Sequence, residues 1–205
     1  MTGITRTANR SARLHLRATL DLARHAVELL HNKEEALQRE QARLEGHARR
    51  TEQQWHDHCR DATAWLLRAR ALGASSDVAS MLDSVSQSAE VTVAWQTAMG
   101  VTYPGDVTCM AATTPTLTST VALVPTTAEY QAALTAGAEH AAATAALNRL
   151  ETELSNTRRR RRAIEQRLQP RLETQLHQLD LDLDERDRDA AVRTHLATQH
   201  KRARP

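Results

Sequence analysis

The stretch LHLRATLDLARHAVELLHNKEEALQREQARLEGHARRTEQQWHDHCRDATAWLLRARAL, residues 14–72, has no proline and a single glycine, Gly46. Alternating steps of three and four residues trace one line along it. That line is Leu16, Leu20, Ala23, Val27, Leu30, Glu34, Leu37, Gln41, Leu44, Ala48, Thr51, Trp55, His58, Ala62, Trp65 and Ala69. Twelve of these sixteen positions are Leu, Val, Ala or Trp. A 3,4 spacing kept up over so many heptads predicts a coiled-coil helix, because only that period holds one apolar stripe against a partner. At 1.5 Å per residue a helix over about 7–72, which also lacks proline, spans roughly 90–100 Å, more than one globular domain needs.

The rest of the chain fits that reading. The protein has 205 residues, no Phe, two Tyr and three Trp, so few large rings are available for a compact core. Ala, Arg, Glu, Gln and Leu are abundant, as in long helices. From about Ala128 a second helical pattern runs almost to the end. Leu134, Ala138, Ala141, Ala145, Leu150, Leu154, Ile164, Leu168, Leu172, Leu176, Leu179 and Leu183 supply its apolar side. Between the two lies a segment punctuated by Gly100, Pro104, Gly105, Pro115 and Pro125. In it AEVTVAW alternates Val91, Val93 and Trp95 on one face, which predicts a strand. A second strand is expected around Val101 and Tyr103, and a third around Val121 and Leu123. GASSD at 73–77 and AATTPTLTST at 111–120 read as flexible loops. The expected fold is mainly α: a long antiparallel coiled-coil helical hairpin with a small, partly β insert at the turn. Its parts are residues 1–72, 73–127 and 128–205.

Charge then sets the register. The run Arg158, Arg159, Arg160, Arg161 and Arg162 cannot face one groove, since helical residues turn about 100° each. It reads either as a solvated, internally paired run or as a binding patch. A formal net charge of +2 argues against a dedicated nucleic-acid protein. If Leu72 lies opposite Tyr130, the run falls near residue 42, among Glu34, Glu35, Glu40 and Glu45. The same register brings Arg13 and Arg17 to residues 185–189, within the acidic run that holds Asp184 and Glu185. Interhelical pairing of these blocks would fix register and direction. Each exposed pair is worth under about 1 kcal/mol, so such pairs direct more than they stabilise.

Several motifs carry no chemistry on inspection. Asp180, Asp182 and Asp184 begin like a calcium loop, but Glu185 and Ala191 stand where that loop needs glycine and glutamate. Asp184 and Arg188, four apart, read as a helical ion pair instead. WHDHC at 55–59 sets His56 and His58 two apart, on nearly opposite sides of a helix, where zinc ligands need three or four. No glycine-rich phosphate loop and no assembled nucleophile are present, so the chain is expected to be non-catalytic, without cofactor or metal. Cys59 and Cys109 have no framework spacing, which fits a reducing compartment. The N-terminal stretch has no signal-peptide run, and no 18 apolar residues follow one another. A cytoplasmic protein is expected, without membrane insertion. Pro170 interrupts the last helix, and the spacing of Ile164, Leu168, Leu172, Leu176 and Leu179 leaves the heptad there. A shallow kink or straightened stretch is expected near residues 166–172.

Three blocks resemble the D subunit of the V-type (A-type, vacuolar/archaeal) ATPases and ATP synthases. The first helix has Arg13-Leu14, Leu20, Ala23-Arg24, Leu29-Leu30, Lys33 and Leu37 at the family's spacing. VTVAWQTAMGVTYP at 91–104 is similar to its strand, Met-Gly-Val turn and proline. The last helix has Thr157-Arg158-Arg159-Arg160, Ala163-Ile164-Glu165, Pro170-Arg171-Leu172-Glu173 and Leu183-Asp184-Glu185. Arg161-Arg162, Gln169 and Ala26 depart from the family pattern, and residues 73–90 and 105–127 match little of it. The resemblance implies a central rotor shaft inside a hexamer of catalytic A and non-catalytic B subunits. It also implies binding to the small F subunit, and coupling through the C/d subunit to the membrane ring. The chain would then be peripheral to the membrane through the complex, and Arg158–Arg162 would be candidates for contact with the ring. The alternative is a non-rotary coiled-coil scaffold or adaptor.

Overall fold

A computed structural model describes residues 10–84, 88–110 and 120–202. The elements are α1 (Arg10–Ala71), α2 (Ser75–Ser84), β1 (Glu90–Ala98), β2 (Val101–Met110), α3 (Leu123–Ala163) and α4 (Gln169–Arg202), with a π-helical turn at Ile164–Leu168 joining α3 to α4. The protein is mainly helical, a helical hairpin with a two-stranded antiparallel sheet inserted between the long helices. Its described residues pack as two compact units, one within residues 10–34 with 156–202 and the other within 35–155.

Every buried residue of α1 lies on the 3,4 line read from the sequence: Leu16, Leu20, Ala23, Glu34, Leu37, Leu44, Ala48, Thr51, Ala62 and Ala69. In the first unit Leu16, Leu20 and Ala23 close around Leu172, with Ile164, Leu176 and Leu179 against them. In the second, Leu37 and Leu44 pack with Ala146, Leu150 and Leu154. Pairing is antiparallel in both. Arg13 meets Asp180 and Arg24 meets Glu173 in one; His58 meets Glu129 and Ala48 meets His140 in the other.

The partner seam differs from the sequence reading. Leu134 is 43% exposed, and Ala141 and Ala145 face solvent. Ala133, Ala136, Ala142, Ala143 and Ala146 are buried instead. AALTAGAEHAAATAAL is alanine on every side, so no face stands out by hydropathy, and α1 decides which one is covered. Gly137 leaves room for Trp55, since a Cβ there would lie 3.0 Å from its Nε1.

Two short motifs shape the turn of the hairpin. Gly73, at φ +90°, ends α1. The Ala74 amide donates to Ala69 O at 3.1 Å and the Gly73 amide to Arg70 O at 3.0 Å, the double bond of a Schellman cap. Ala69 and Ala74 are both fully buried, with Ala122 and Leu123 beside them. Residues 73–77 are therefore not one loop, because α2 starts at Ser75 with Asp77 favourably placed in its first turn. The third strand is also absent among the described residues. Val121 and Ala122 form a turn and Leu123 opens α3, with the Thr126 amide bonded to Ala122 O. Pro125 is compatible because a first helical turn needs no amide donor there. Of the expected 111–120 loop, 111–119 lie outside the described residues.

β1 and β2 pair through a two-residue turn. Met99 and Gly100 both have positive φ, 50° and 79°, as a type I′ turn requires. The register shifts between Val93 and Trp95, where Gly105 and Asp106 stand opposite Ala94 alone. This bulge follows Pro104, which has no amide for a regular ladder. Tyr103, only 3% exposed, joins the cluster of Leu37, Leu44, Ala146, Leu150 and Leu154, with Ala98 and Val101 beside it. The β-hairpin thus lies along the helix pair of its unit, well before α1 ends at Ala71.

Leu150 is fully buried at the centre of that cluster. Leu150→Ala should cost roughly 2–5 kcal/mol in urea unfolding, the range for a buried leucine truncated where neighbours cannot collapse.

Candidate functional site

The arginine run divides by direction. Arg158 and Arg161, one turn apart, point at α1 and hold Glu34. Arg158 Nε donates to Glu34 Oε1 at 2.8 Å, and Arg161 Nε to Oε2 at 3.1 Å. Arg161 Nη1 also donates to both oxygens of Glu165, each at 3.0 Å. Glu34 sits on the seam and is 8% exposed. A carboxylate there must be paired or neutralised. The Arg158 hydrogen bond, helped by Arg161 and opposed by burial, holds its pKa below the ordinary 4.5. Arg161 is shifted up, first by Glu165 and then by Glu34. Beneath Arg158, Thr157 is buried with 1% exposure and continues the seam.

Arg159, Arg160 and Arg162 are exposed and, among the described residues, have no acidic partner. At about 100° per residue they spread over the solvent half of the helix.

The register differs from that expected. Arg158 meets Glu34 rather than the neighbourhood of residue 42, about two turns away. The cause lies at the turn: α3 begins at Leu123, not near Ala128, and Leu123 packs with Ala69. Glu40 consequently serves the β-hairpin. Tyr103 Oη donates to Glu40 Oε1 at 2.7 Å, and Arg43 Nη2 reaches the same oxygen at 2.6 Å. Arg43 chiefly, and Tyr103 after it, lower the Glu40 pKa. Burial chiefly, then the Glu40 bond, raises that of Tyr103. On the other side of the hairpin, the Arg149 guanidinium lies 4.9 Å from the Trp95 ring centre and donates to Thr102 O at 3.1 Å. Glu45 accepts from Gln41 Nε2 at 3.1 Å, and the Glu35 carbonyl accepts from Arg39.

At the far end Arg13 Nε lies 2.6 Å from Asp180 Oδ1, with both atoms shut off from solvent, and Arg17 reaches Asp180 at 4.0 Å. Arg10 meets Asp187 at 3.5 Å. The acids used are thus Asp180 and Asp187, seven apart on one face. Asp184 and Glu185, named from the sequence, are exposed instead, Glu185 being turned about 140° from Asp180. Arg24–Glu173 at 3.1 Å is a further bridge that the sequence reading missed. Heptad spacing could have found Asp187 from Asp180, and the i, i+4 rule Glu165 from Arg161. No local signal points from Tyr103 to Glu40.

His58 Nδ1 lies 2.9 Å from Glu129, His56 stacks on Trp55 and Cys59 is a free thiol. Among the described residues no group of three or more His, Cys, Asp or Glu is placed to hold a metal. Nor is any described helix long and apolar enough to cross a membrane. The arrangement pairs two helices at one register and leaves Arg159, Arg160 and Arg162 exposed.

Glu34→Gln should cost roughly 1–2 kcal/mol at neutral pH, since charge-assisted bonds to two arginines are lost. The sign with pH follows from the depressed pKa: the contribution is present above the ordinary value and disappears as pH falls through the lowered one. Urea unfolding from about pH 6 to about pH 3 should show a shallower acid loss for Glu34→Gln than for wild type. Tyr103→Phe, which keeps the ring and removes its bond to Glu40, should cost about 1 kcal/mol in the same assay.

No curated protein sequence is similar enough to count as a relative. The profile of the family described as the ATP synthase D subunit matches residues 12–199, which takes in both long helices and the β-hairpin. The chain therefore belongs to the ATP synthase D-subunit family, components of the V-type and A-type rotary ATPases that are in general non-catalytic.

Proposed function

We propose that this chain is the central rotor shaft of a V/A-type rotary ATPase. It carries torque between an ion-driven membrane ring and the catalytic hexamer, for ATP synthesis or ATP-driven ion transport. The observation that carries the reading is the division of the arginine run. A shaft must not slip along its own seam, and it must present its surroundings with something to push against. Arg158 and Arg161 meet the first need by fastening α3 to Glu34 in α1. Arg159, Arg160 and Arg162 meet the second, because cations spread round the exposed half of a helix suit acidic segments arrayed around it better than one groove.

The partners in this reading are the A and B subunits around the shaft, the F subunit on its side, and the C/d subunit between it and the membrane ring. The chain stays on the cytoplasmic side and is peripheral to the membrane through the complex. The shaft carries no catalytic group and no cofactor. Transmission needs rigidity and register, which the paired helices supply.

Arg159→Gln with Arg162→Gln should lower coupled ATP synthesis several-fold while the hairpin keeps its wild-type melting profile, since neither side chain belongs to the packed seam. Unchanged coupled synthesis would sink the contact assigned to the outward arginines. Tagged chain co-expressed with the complex should recover A, B and F subunits in fixed ratio by mass spectrometry. Recovery of the chain alone would leave a non-rotary helical scaffold as the better account.

A further inference from the structure

The seam of the first unit runs Thr157, Ile164, Leu172, Leu179. The first and last intervals are seven residues, and the middle one is eight. Eight residues overshoot two helical turns by about 80°. An unbroken α-helix would therefore carry Leu172 away from the side on which Ile164 packs. Yet Ile164 and Leu172 both pack into the cluster with Leu16, Leu20 and Ala23. The surplus residue is taken up between them, in the π-helical turn Ile164–Leu168, which the Gln169 amide closes by bonding to Ile164 O. A turn closed five residues on, instead of four, takes in one extra residue and restores the phase.

Both ends of this turn are held. On the N-terminal side, Arg158 and Arg161 are fixed on Glu34, and Arg161 is tied to Glu165 inside the turn. On the C-terminal side, Leu172 is buried and Glu173 is bridged to Arg24. If the turn tightened to α, α4 would rotate by about one residue, roughly 100°, and one of these holds would have to release. Pro170 sits just beyond. It has no amide, and in an α-helix its ring would press on the carbonyl of Gln166, so it is compatible with the widened turn.

We propose that Ile164–Leu168 is a torsional joint, held open by the opposed grips of the Glu34 clamp and the Leu172 knob, and that the helix yields first to twist there. In this account the seam makes the joint and the proline only tolerates it. The inference concerns the helix itself and stands independently of the rotor reading.

Amide hydrogen exchange on the full chain tests it. Amides 165–169 should exchange about tenfold or more faster than those of 158–162 and 172–176, because a π-turn between two fixed ends opens locally at lower cost. Pro170→Ala should leave that difference in place. Deleting Gln166 together with Pro170→Ala makes every interval seven, and should bring 165–169 to the level of the flanks. Uniform protection in wild type would overturn the joint. Closure by Pro170→Ala alone would overturn the assignment of cause, as would fast exchange persisting in the deletion variant. Wild type and Pro170→Ala decide the matter even where the deletion variant does not fold.

Discussion

A carboxylate in an apolar seam allows few solutions. Glu34 occupies a seam position between Leu30 and Leu37, and it is nearly covered. Left unpaired there, it would cost more than its helix could recover. Two arginines one turn apart supply the pairing, and only one register of α1 against α3 brings them to it. Sliding either helix by a turn would take one of the two arginines out of reach of the carboxylate. The leucines alone do not discriminate so sharply, because each leucine knob fits the next hole along nearly as well. Polar groups on a coiled-coil seam often act in this way, giving up some stability in exchange for a single alignment.

The sequence made one half of this pairing legible and hid the other. The 3,4 line through α1 was readable because Leu, Trp and charged residues alternate sharply around it. The alanine-rich part of α3 was not, since every face of such a helix is equally apolar and the partner chooses among them. The arginine and acidic blocks announced themselves as complementary, but their register depended on where α3 began. That start was concealed by Pro125, which looks like a loop residue and is in fact accommodated in a first helical turn. The eight-residue interval around Leu168 was visible as a departure from the heptad. Its resolution as a π-turn was not, because a kink, a straightening and a widened turn all satisfy the same spacing.

The β-hairpin shows the same limit on a smaller scale. Its strands and its Met99–Gly100 turn follow from alternation and from the conformational freedom of glycine. Where it docks follows from Tyr103, whose ring fills a gap between helices and whose hydroxyl finds Glu40. That contact joins residues far apart in the chain, and no local pattern encodes it. Two strands alone are marginally stable in water, so the helix pair is the support on which this hairpin keeps its shape.

The buried alanines of α3 have a further consequence. Helices that meet through methyl groups approach more closely than helices that meet through leucines, toward the lower end of the usual spacing of about 8–10 Å. Ala136, Ala143 and Ala146 of α3 are buried, and Ala146 shares its cluster with Leu37 and Leu44 of α1, so on the α3 side a methyl group stands where a leucine would stand in a thicker pair. A thinner pair resists bending less than a thicker one of the same length. The stiffness of that pair is thus set in part by the size of a single side chain. Enlarging any of these alanines would alter the calibre of the pair before it altered its fold.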